Sequence, residues 1–62
     1  MAKPSLDDER EALLREQREL REITHREFAT MSAQLATQRA TRLHQIHDRL
    51  AYIARQIARR RR

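Results

Sequence analysis

Large apolar residues recur along this chain at helical intervals, and the interval changes as the chain proceeds. Leu6, Leu13 and Leu20 return every seven residues, but Arg10 and Gln17 fill the positions between them, so the first stripe is narrow. Ile23 or Thr24, Phe28, Met31 and Leu35 follow at steps of three to five. Leu43, Ile46, Leu50, Ile53 and Ile57 then alternate steps of three and four, the a and d positions of a heptad. Ala51, Ala54 and Ala58 flank that seam and widen its apolar face beyond a two-stranded stripe, leaving room for a second close neighbour.

The start of the first helix is marked locally. Ser5 follows Pro4 and precedes Leu6, Asp7 and Asp8, which reads as an N-cap hydroxyl with carboxylates in the first turn, where the helix dipole favours negative charge. Neither Gly nor Pro occurs after Pro4. Helix-spaced pairs of opposite charge, Glu11 with Arg15, Arg18 with Glu22 and Glu22 with Arg26, support helicity over the first half. Between Leu35 and Leu43 the large apolar residues disappear and the heptad is interrupted. Residues 36–42 are therefore either a stutter in one continuous helix or a tight connection between two antiparallel helices. They contain no Gly, Pro, Asn or Asp, and on turn chemistry continuity is the favoured reading. The expected fold is all-α: one long amphipathic helix in a coiled-coil dimer or small helical bundle, with an antiparallel hairpin turning near residues 36–42 as the alternative. Residues 1–5 form the cap segment, 6–58 the helical region and 59–62 a basic tail.

Composition supports helices over strands. The 62 residues lack glycine, tryptophan and valine, contain nine alanines, and have Phe28 and Tyr52 as their only aromatics. With so few large apolar side chains a lone helix does not become rigid, so a homo-oligomer or larger assembly is expected. Without cysteine there is no disulfide and no thiolate metal site. No apolar run approaches the ~20 residues that span a bilayer and no signal-peptide core is present, so a cytoplasmic location is expected.

Charge is unevenly distributed. Residues 1–31 carry six Lys/Arg and eight Asp/Glu, net −2, whereas residues 32–62 carry eight Arg and one Asp, net +7. This polarity suits the dipole of a single helix, and equally an antiparallel pairing that sets an acidic half against a basic one. The basic end holds the main functional signal: Arg55, Arg59, Arg60, Arg61 and Arg62 cluster guanidinium groups that bind phosphate as forks and release counterions from nucleic acid. In a continuous helix the acidic half lies too far away to screen them. Such a run also suits an acidic protein surface or a solvated helix end. No helix-turn-helix, zinc-finger or RNA-binding signature accompanies it, so contact without base reading is the expectation. Tyr52 lies off the seam, where it stacks on a base or lies along a neighbouring helix.

The remaining candidates are weaker. His44 and His47 with Asp48 sit at helical spacing, but one chain supplies too few ligands; they read as polar flanks of the seam, with Asp48 pairing His44, and no metal or cofactor is expected. No nucleophile–base–acid arrangement or glycine-rich loop is present, so no enzymatic activity is expected. The segment from Arg42 to Ile53 resembles, in its heptad periodicity, the C-terminal dimerisation helices of some bacterial transcription regulators, whose winged-helix reader this chain lacks. The expected protein is therefore a helical interaction module. It self-associates through Phe28, Met31, Leu35, Leu43, Ile46, Leu50, Ile53 and Ile57, and contacts nucleic acid through its arginine tail. The alternative is an adaptor or inhibitor docking its helix and charged ends on a larger protein.

Overall fold

A computed structural model describes residues 5–60, and these form two helices that pack against each other: α1, Leu6–Glu27, and α2, Ala33–Arg60. At the start of α1, Ser5 is extended and its Oγ accepts a hydrogen bond from the Asp8 amide at 3.1 Å, while its carbonyl accepts from Glu9 at 3.0 Å. Asp7, Asp8 and Glu9 occupy the first turn, and His25 and Arg26 the last, matching charge to dipole at both ends.

The continuous helix is not what forms, and the turn does not lie near residues 36–42. The break falls at residues 28–32, upstream of the interruption in the heptad. Phe28–Thr30 tighten into a single 3-10 turn, Thr30 Oγ1 donates to the Glu27 carbonyl at 3.2 Å, and Met31 becomes extended at φ −79°, ψ 133°. Ser32 then caps α2. Its Oγ accepts from the Leu35 amide at 3.1 Å and its carbonyl from the Ala36 amide at 3.0 Å. None of the described residues has a positive φ, which is why the reversal needs no glycine. Residues 36–42, in contrast, are uninterrupted helix. Thr37 and Thr41 donate their hydroxyls to the carbonyls of Ala33 and Thr37, both at 2.9 Å, and so leave no polar group competing with the helix.

Packing is thin. Ile46 and Ile53 are the only described residues that reach 0% exposure, and both lie on the face of α2 that meets α1. Leu6, Leu13, Leu14 and Leu20 of α1 and Leu35, Leu43, Leu50 and Ile57 of α2 are half-buried. One edge of the hairpin is closed by ion pairs. Glu16 accepts a two-pronged contact from Arg42, with Nη2 at 2.8 Å, and seven residues away along each helix Glu9 accepts the same from Arg49, with Nη2 at 3.0 Å. Near the turn, Arg39 reaches Glu27 at 3.5 Å and the Met31 sulfur at 4.0 Å. These three pairs fix the antiparallel register.

Candidate nucleic-acid interface

The six arginines of α2 fall into two groups according to what α1 offers them. Arg39, Arg42 and Arg49 each meet a carboxylate of α1: Glu27, Glu16 and Glu9. Arg55, Arg59 and Arg60 are exposed, and no carboxylate among the described residues lies within 4.0 Å of any of them. The reason is geometric. α2 has 28 residues and α1 has 22. Because Glu9 pairs with Arg49, the antiparallel register carries the last turns of α2 beyond the level of Ser5.

On the outward side of this overhang, Tyr52, Arg55, Gln56, Ala58 and Arg59 line an open concavity of about 480 Å³. Steps of three, four and seven bring Tyr52, Arg55, Gln56 and Arg59 onto one face. Tyr52 is 41% exposed, and the Arg49 guanidinium lies 4.7 Å from its ring centroid while also donating to Glu9. The ring is thereby held at the rim of the concavity with one neighbour fixed. Two guanidinium forks and an amide beside an aromatic ring, without a carboxylate among the lining residues, make a surface that suits phosphate groups. Gln56 and Arg49 are the members that the sequence did not single out. Their signal was the helical spacing from Tyr52.

Charge at this end is mixed, which corrects the expectation that the acidic half lies far from the tail. Folding back sets Asp7 and Arg10 beside Ala54, Ile57 and Ala58 in a second shallow groove of about 390 Å³ on another side of the overhang. The acidic first turn of α1 therefore neighbours the basic end of α2 instead of standing at the opposite end of the molecule.

The other anticipated residues are placed as follows. Phe28 stands in the turn, 77% exposed, and Met31 and Leu35 are half-buried beside it. Leu43, Leu50 and Ile57 are half-buried along α2, while Ile46 and Ile53 lie wholly between the chain's own helices. Arg61 and Arg62 lie outside the described residues. His44 Nε2 is 3.5 Å from Asp48 Oδ2, both side chains largely in solvent, and no three His, Asp or Glu side chains converge among the described residues. No described helix is long and apolar enough to cross a membrane.

The arginine contacts hold the carboxyls of Glu9 and Glu16 below the usual carboxylate value, chiefly through the hydrogen bonds from Arg49 and Arg42, which outweigh the opposing effect of desolvation, with charge attraction adding least. The same bonds raise Arg49 and Arg42. Both pairs are structural fasteners, whereas the terminal arginines have no such partner in α1. No family model matches the chain, and no curated protein or solved structure matches it.

Proposed function

We propose that this chain is a small non-enzymatic helical protein that self-associates and contacts duplex nucleic acid, without regard to sequence, through the outward face of the α2 overhang. The observation that supports this reading is the division of the arginines: three are engaged by α1, and Arg55, Arg59 and Arg60 are left for a phosphate backbone next to Tyr52. Three phosphate contacts account for ~2.7 of the slope of log K against log salt, at ~0.9 per contact. Replacing Arg55, Arg59 and Arg60 with Gln should flatten the slope by up to that amount while leaving helix content and mass unchanged. Duplexes of unrelated sequence should respond equally. Absence of binding at low salt, or a slope that the triple variant leaves untouched, would sink the nucleic-acid reading.

A protein-docking role is the second reading. It draws support from the neighbouring Asp7 and Arg10 in the groove beside Ala54, because a surface carrying both signs of charge suits the rim of a protein partner better than a uniform polyanion. Under that reading, exchanging Asp7 for Arg weakens partner binding. Under the nucleic-acid reading the same exchange strengthens duplex binding.

A further inference from the structure

α2 carries a second stripe, displaced by one residue, or about 100° round the helix, from the one that meets α1. It runs through Ala33, Ala36, Ala40, Leu43, His47, Leu50, Ala54 and Ile57 in unbroken alternation of three and four. It contains no Arg, Lys, Asp or Glu, although seven such residues lie elsewhere on α2. Its alanines and His47 are exposed, and Leu43, Leu50 and Ile57 are only half-buried. The opposite flank of α2 is the one closed by the pairs of Arg42 and Arg49 with Glu16 and Glu9.

We infer that this stripe is the docking surface for a second copy of the chain, whose own α2 lies antiparallel upon it across a two-fold axis at the level of Gln45. The stripe is self-complementary in that register. Ala33 meets Ile57, Ala36 meets Ala54, Ala40 meets Leu50 and Leu43 meets His47, each contact occurring twice, as an isologous interface requires. Alanine faces a larger aliphatic residue at two of these four levels, so knobs find room and the backbones approach closely. The position of the stripe, about a quarter-turn from α1, is the one a four-helix bundle needs for its second neighbour.

The surface area points the same way. The chain exposes 5546 Å² at a mass of 7.5 kDa. A compact monomer of that mass exposes ~4,200 Å², so the excess of ~1,300 Å² exceeds the ~800 Å² per partner of a standard stable interface. A second hairpin on the α2 stripe also brings α1 beside its mate. There Leu14 stands near the axis, and Asp7 and Arg21 of opposite copies lie at similar levels with opposite charge.

This inference rests on the self-association proposed above, and cross-linking separates the two. The native chain has no cysteine, so single-cysteine variants report unambiguously. An equimolar mixture of Ala36→Cys and Ala54→Cys should form the 36–54 disulfide across chains, with neither variant alone forming a covalent dimer. Ala40→Glu should raise the dimer dissociation constant by ~100-fold or more by setting a carboxylate against Leu50, whereas Gln38→Glu on the opposite flank should leave it unchanged. A dimer in which Ala36→Cys links to itself, or one that Ala40→Glu leaves intact, overturns this pairing and leaves self-association standing. A native chain that sediments at 7.5 kDa overturns both.

Discussion

Thr24 lies half-buried on α1, at the helical spacing of Leu13 and Leu20, and its Oγ1 is shielded from water without a hydrogen-bond partner among the described residues. A buried hydroxyl left unpaired costs ~1–3 kcal/mol, and an isostere that lacks it avoids the cost. Thr24→Val should therefore stabilise the protein by about 1 kcal/mol, raising the melting midpoint by about 4–8 °C for a domain of this size. A lower midpoint on thermal circular dichroism would mean that the hydroxyl has a partner. Ile46 and Ile53 present the reverse case. Among the described residues they alone reach full burial, so Ile46→Ala should remove ~2–5 kcal/mol, most of what so thin a packing layer supplies. Ile23→Ala, at a residue 38% exposed, should stay within ~0.5 kcal/mol. Both isoleucines were legible from heptad spacing, because the three-four alternation defines a face wherever the helix runs. What that face packs against was not legible. Periodicity marks a buried stripe without distinguishing the chain's own α1 from another chain's helix.

At the level of the elements, the turn at residues 28–32 shows where breaker chemistry misleads. Absence of Gly and Pro favours continuity, yet a 3-10 turn followed by an extended Met31 reverses the chain within ordinary backbone space. The legible mark was Ser32, an N-cap residue four positions before an alanine of the next helix, hidden because the apolar spacing runs through it without a gap. Residues 36–42, where the heptad is interrupted, are helix as their lack of turn residues favours, the polarity of Thr37, Thr41, Arg39 and Arg42 satisfied by backbone carbonyls and by Glu16 and Glu27. Ser32→Ala should cost ~1 kcal/mol by orphaning the Leu35 amide, and hydrogen exchange should quicken at the first turn of α2 before anywhere else in that helix. The edge pairs give a pH dependence. Because Glu9 and Glu16 are held below their ordinary value of 4.5, their contribution is complete above that value and disappears as pH falls through the lowered folded-state values. The melting midpoint should thus hold steady from neutrality to about pH 5.5 and fall below 4.5, with a shallower fall in the Glu9→Gln, Glu16→Gln double variant. An identical fall in both proteins would show that these pairs carry no folding linkage.

For the whole molecule, the acidic-to-basic polarity of the sequence suits a single helix and an antiparallel pairing equally, and the three ion pairs realise the second inside one chain. It also determines what remains outside, since the longer helix carries its last arginines past the end of its partner. In a two-fold pair of α2 helices centred at Gln45, the patch of Arg55 and Arg59 lies about a dozen residues, or ~18 Å, from the axis. Its mate lies as far in the other direction, so the two are ~36 Å apart along the bundle axis. This is close to the ~34 Å pitch of duplex DNA, and it makes the unequal length of the two helices a ruler. If the proposed dimer grips one duplex with both patches, duplexes shorter than about ten base pairs should reach one patch and longer ones both, the second contact then being intramolecular. Affinity measured against duplex length should therefore rise in a step near one helical turn for the native protein and only gradually for Ala40→Glu. A smooth rise in both would mean that the two patches never grip the same duplex.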